Sequence, residues 1–265
     1  YDFLVIFSNF DFKMPSDAKA FYLGIKNDTQ GIGKPLFDNS SLFGSNGKLQ
    51  GIIDMGNISI LVIDPLDPKF EETLDILSHE KMHRWGAHVR FKDSSGNIST
   101  ALLGRDSTHW SFLLDSKGSV LYGNKWQDNG NGTFTSIDAN KYYSPLDLYL
   151  MGFNGRSQVP QMLLIDNPGI DPARMPEVGT TISGTPRYIT IDDIIAVEGE
   201  RIPGPSVSQK TFKTAFILIT EPGTFTGYEI YGIENVRNGF VTRFSILTDG
   251  RGLMQVASVL KEEIA

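Results

Sequence analysis

His79-Glu80-Lys81-Met82-His83 sets two imidazoles four positions apart, with a carboxylate directly after the first. On an α-helix, four positions amount to about 40° past a full turn, so both rings leave the same face and can share one cation. Glu80, one position on, can reach a water at that cation without ligating the cation itself. With four histidines and 11 glutamates in 265 residues, this pattern arises by chance roughly once in 400 such chains. The reading is a zinc site with His79 and His83 as ligands and Glu80 as general base.

A catalytic zinc takes three protein ligands and keeps an open position. The chain has no cysteine, so the third ligand must be a histidine or a carboxylate. Three candidates stand. His109 follows Arg105-Asp106-Ser107-Thr108 at a loop-to-strand junction, where Asp106 is available to orient the ring. Asp147, in Ser144-Pro-Leu-Asp-Leu-Tyr-Leu-Met-Gly152, is a carboxylate on a later helix; its spacing from Ser144 also makes a capping box. His88 lies five residues after His83. His109 is the first choice, with Asp147 and His88 as the alternatives.

These residues need a helix to carry them. Asp67-Pro68 reads as its N-cap and first position, Glu71 and Glu72 suit the first turn, and Phe70, Leu74 and Leu77 repeat at helical spacing. Gly86 reads as the stop, giving about 17 residues. Before it, Tyr1–Phe10, Ala18–Lys26 and Leu49–Asp64 read as strands. A Gly-, Asn- and Ser-rich loop lies between the last two, and its Gly31-Ile32-Gly33 reads as turn chemistry.

After the helix come short strands and turns: Ala87–Lys92 with Ile98–Leu103, His109–Leu114 with Ser119–Tyr122, and Thr133–Ile137. Asp128–Gly132 reads as a tight turn rather than a calcium loop, because Gly130 stands where an oxygen ligand belongs. Ser144–Met151 and Thr190–Val197 read as capped short helices. Arg156–Pro186 reads as irregular, Lys210–Thr220 as a strand, and the stripe Ile230, Ile233, Val236, Phe240, Phe244, Leu247 as a long helix.

Composition narrows the class further. Without cysteine, disulfide frameworks, thiol nucleophiles and Cys-held clusters are excluded. Lys+Arg 24 against Asp+Glu 31 gives a net charge of −7, the wrong sign for a nucleic-acid backbone as partner. No apolar run is long enough to span a bilayer. A start at Tyr1 and the lack of cysteine fit a bacterial protein that is secreted, periplasmic or held at the cell surface, with its signal segment absent from this chain.

His79, Glu80 and His83, extended by Gly86, resemble the zincin metallopeptidases and look most like a metzincin relative. His83–Gly86, His109-Trp110-Ser111 and Ser144–Gly152 are similar to poorly characterised bacterial exported peptidases. In the metzincin pattern, His-Glu-x-x-His-x-x-Gly-x-x-His, the last position falls on Val89, and His88 is one place short. The resemblance implies an α+β zincin-like fold, with a mixed twisted sheet and active-site helix above a lower subdomain of hairpins and helices. It implies one catalytic domain over 1–265, its upper part about 1–88 and its lower part about 89–265. It also implies a monomeric endopeptidase that uses Zn2+ on a protein or peptide substrate. Tyr149 is then the candidate oxyanion donor and Met151 the candidate methionine turn. Leu49–Met55 is the candidate substrate-binding strand, and Trp85, Trp110 and Trp126 are candidates to line a cleft. The competing reading is a binding or adhesion module of the same fold with a structural zinc.

Overall fold

The computed structural model describes residues 1–14, 18–224 and 226–256. The chain divides into two compact units. The first comprises Tyr1–Asn27, Phe37–Arg84 and Lys210–Ala265; the second comprises Asp28–Leu36 and Trp85–Gln209. The segment that begins at Lys210 belongs with the first unit. Its reason is strand pairing: Thr211–Ile219 lies parallel beside Phe3–Ser8.

The first unit is built on a five-stranded sheet in the order Leu253–Val256, Thr211–Ile219, Phe3–Ser8, Gly51–Asn57, Phe21–Gly24. The first four run parallel, and Phe21–Gly24 is antiparallel at the edge. Phe3, Val5 and Phe7 alternate onto one face and are fully buried. Phe212 on that face meets Phe3 and Phe244 edge-on. The Phe70–Met82 and Gly227–Leu247 helices supply its cover. They approach closely where a side chain is missing: a Cβ on Gly239 would come within 2.9 Å of the Phe70 ring.

The Leu49–Met55 stretch is not at an edge. Gly51–Asn57 is an interior strand, because Phe21–Gly24 pairs along its outer side.

The second unit carries a six-stranded sheet in the order Thr181–Ser183, Thr133–Asp138, Tyr122–Asp128, Trp110–Asp115, Met162–Asp166, Thr185–Ile189. Met162–Asp166 and Thr181–Ser183 fall inside Arg156–Pro186, where an irregular segment is expected, and Thr185–Ile189 begins there. The Pro- and Gly-rich composition marks turns between short strands that long-range pairing stabilises. Trp110–Asp115 and Tyr122–Asp128 run parallel, not as the expected hairpin. Asp128–Gly132 is an exposed turn, its Asp128 Oδ1 accepting from the Gly130 amide at 2.8 Å. The glycine turn behaves as expected. Gly33 has φ +74°, and a Cβ there would meet the His88 carbonyl oxygen at 2.3 Å.

Among the described residues, no helix is long and apolar enough to cross a membrane.

Lys81 is packed into the aromatic core of the first unit. It is 1% exposed, with Nζ 3.3 Å from the centroid of Phe3 and 4.6 Å from that of Phe212. Burial pushes its amine well below the ordinary lysine range, while Asp2 pulls it back. The folded state therefore binds fewer protons at this site than the unfolded chain, and stability rises with pH toward the unfolded value of about 10.4. Lys81→Met keeps the stem and removes the buried amine. It should raise unfolding free energy at pH 7 by about 1–3 kcal/mol and flatten that rise. Urea unfolding at pH 6, 8 and 10 reads both; a less stable variant with an unchanged slope would show that the charge is well accommodated.

Candidate metal centre

The helix that carries the motif spans Phe70–Met82, 13 residues rather than about 17. Its start is later than expected. Asp67 makes a local turn instead of a cap, its Oδ1 accepting from the Lys69 amide at 2.8 Å and its carbonyl from the Phe70 amide at 3.0 Å. Its end is earlier. His83 is the C-cap, and its amide donates to the Glu80 carbonyl at 3.2 Å, tightening the last turn. Both motif histidines thus sit at the helix C-terminus, where unsatisfied carbonyls favour positive charge.

The helical spacing brings the two rings together as expected. Nε2 of His79 and Nε2 of His83 are 3.2 Å apart, with the rings nearly perpendicular at 82°. Two nitrogens each 2.0–2.1 Å from one tetrahedral ion stand about 3.3 Å apart, close to the separation of this pair.

Glu80 is 8% exposed. Burial pushes its carboxyl up to about 7, against the pull of the Tyr22 backbone amide, which donates to it. Tyr22 lies on the antiparallel edge strand, and its ring hydroxyl donates to the Gln50 carbonyl at 3.0 Å. Gln50 in turn accepts from Arg84 Nε at 3.2 Å, and Arg84 Nη1 donates to Asn27 at 2.8 Å. This buried network braces the chain directly after His83. Sequence reasoning missed it because none of its members is close to Arg84 along the chain.

His109 is 7% exposed, just ahead of the Trp110–Asp115 strand. Its Nδ1–H donates to the Arg105 carbonyl at 3.0 Å, which leaves Nε2 as the nitrogen with a lone pair for a metal. The orienting acceptor is thus a backbone carbonyl and not Asp106, whose carboxylate pairs with Arg105 at 3.2 Å. Burial lowers the His109 pKa, although the Arg105 carbonyl raises it; a neutral ring is the metal-binding form. Tyr122 stacks on this imidazole, centroids 4.6 Å apart and planes 14° from parallel.

Among the described residues, His79, His83 and His109 form a group able to hold a metal ion, with one nitrogen of each within 4.8 Å of the others. The other candidates are not members of this group. Asp147 is fully buried, accepting from Trp110 Nε1 at 2.9 Å, Ser119 Oγ at 2.7 Å and the Ser144 amide at 2.8 Å. The capping box with Ser144 is formed, so this carboxylate is occupied structurally. His88 is absent from the metal-binding group, and Val89, at the metzincin third-ligand position, is a fully buried core residue.

The supporting candidates also have structural duties. Tyr149 is buried, its hydroxyl accepting from the Arg201 amide at 3.2 Å. Met151 is 1% exposed at the end of the Pro145–Met151 helix, its carbonyl accepting from Arg201 Nη2 at 3.0 Å. Trp85, Trp110 and Trp126 are core residues, at most 5% exposed, and do not line an open surface.

No protein-family model, curated protein or solved structure matches this chain.

Proposed function

We propose that the chain is a zinc-dependent endopeptidase in which His79, His83 and His109 hold the ion and Glu80 is the general base. The observation that carries this reading is the three-histidine group within 4.8 Å, with the buried carboxylate of Glu80 next in sequence to one ligand. A structural zinc site is typically closed by four protein ligands, whereas a catalytic one has three. Among the described residues, the group has three members.

Zinc bound there supplies Lewis acidity at a scissile carbonyl and lets a water ionise near neutral pH. Glu80 takes the proton of the attacking water and passes it to the leaving amine. Burial pushes the Glu80 carboxyl up in the metal-free site, and a base of raised proton affinity can hold the proton it takes until the amine leaves. The amide of Tyr22 holds the carboxylate in place. An extended peptide is proposed to add as a strand beside Phe21–Gly24, the edge strand of the first sheet. The chain is proposed to act outside the cytoplasm of a bacterium, as a monomer on protein substrates.

The test is hydrolysis of an unfolded, unspecific protein substrate by zinc-loaded wild type and Glu80→Gln. Cleavage by the wild type alone supports the peptidase. Zinc retained by both with no cleavage by either would make the chain a metal-bearing binding module.

A further inference from the structure

We infer that Tyr122 is a positioning residue for the third metal ligand, held in an unfavourable backbone conformation so that its ring fixes the plane of His109. The inference deepens the proposed metal site and rests on it. Two independent observations carry it.

The first is the ring contact. The Tyr122 and His109 rings lie 4.6 Å apart and 14° from parallel. The Nδ1–H bond to the Arg105 carbonyl at 3.0 Å pins one atom of the imidazole but leaves rotation about that bond. A flat ring against the imidazole face removes that freedom and thereby aims Nε2.

The second is the backbone. Tyr122 has φ +78°, a region that glycine or asparagine enters readily and a bulky aromatic residue enters rarely. The conformation is locked from both sides. The Tyr122 amide donates to the Ser119 carbonyl at 3.1 Å, and its carbonyl accepts from Ser116 Oγ at 2.9 Å. Gly123 follows with φ +74°, and a Cβ there would meet Ser116 Oγ at 2.5 Å. The turn needs a left-handed residue at 122, yet the chain places tyrosine there. Strain kept at one residue whose side chain contacts a candidate ligand is the pattern expected when the side chain serves the site.

Tyr122→Asn suits the left-handed backbone and removes the ring; Tyr122→Phe keeps the ring and removes only the hydroxyl. Zinc affinity is measured by chelator competition, and ligand geometry by the visible absorption of the cobalt-substituted protein. Thermal unfolding of the metal-free chains shows whether each variant is folded.

Tyr122→Asn is expected to fold, to bind zinc about 10–100-fold more weakly, and to change the cobalt spectrum. Tyr122→Phe should match wild type in both. Should Tyr122→Asn fail to fold, Tyr122→Leu, which keeps the backbone demand as it is and lacks the flat ring, is expected to show the same weakening. Wild-type affinity and spectrum in the folded variant without the ring would overturn the role of Tyr122 alone. A wild type that binds no zinc would overturn the metal site itself, and this inference with it.

Discussion

Glu80→Gln is expected to retain its metal and to lose peptide hydrolysis by a factor on the order of 10² to 10⁴, the usual contribution of a general base. The substitution is close to isosteric. The amide oxygen still accepts from the Tyr22 backbone amide, and His79 and His83 keep their places on the helix. What is lost is the ability to take and return a proton. The pH dependence adds a second signature. A base must be ionised to act, so activity falls as pH drops through the Glu80 pKa, about 7 in the metal-free site. A dication nearby favours the carboxylate and moves that acid limb lower. The residual activity of Glu80→Gln should lack this limb. Steady-state rates from pH 5 to 8.5 with measured metal content decide it; a variant within threefold of wild type would remove Glu80 from the mechanism.

Asp147→Ala should have the largest effect on stability, about 3–5 kcal/mol, or a fall of about 10 °C in unfolding midpoint. The carboxylate is fully buried and ties its own helix, capped by Ser144, to Trp110 at the start of the Trp110–Asp115 strand and to Ser119. Alanine leaves three buried donors without an acceptor, and each such loss costs far more than a surface hydrogen bond. Burial pushes the Asp147 carboxyl above its ordinary value, with the Ser119 donor pulling hardest the other way. Asp147→Asn, which restores acceptors to part of the network, should recover some of the loss. Chemical denaturation of the metal-free variants measures it. A change under 1 kcal/mol with loss of bound zinc would return Asp147 to the list of ligands.

Local signals were the legible ones. The capping boxes at Ser144 with Asp147 and at Thr190 with Asp193 form as the spacing requires, because all the atoms involved lie within one turn. The helical register that brings His79 and His83 together is local in the same sense. Long-range pairing was not legible. The edge position belongs to Phe21–Gly24 instead of Leu49–Met55, and only the assembled sheet shows which strand has an open side. The helix start differs from expectation because Asp67 makes the same side-chain-to-amide bond in a turn that it makes as a cap. The third ligand stayed ambiguous for a related reason. A buried aspartate with three donors and a buried histidine with one oriented nitrogen differ only in what folding places around them.

The claim that His79, His83 and His109 hold one metal is tested most directly by zinc stoichiometry after loading and gel filtration. Wild type, Asp147→Asn and His88→Ala should each carry one zinc per folded chain, whereas His109→Ala should carry close to none. Full zinc in folded His109→Ala would contradict the account.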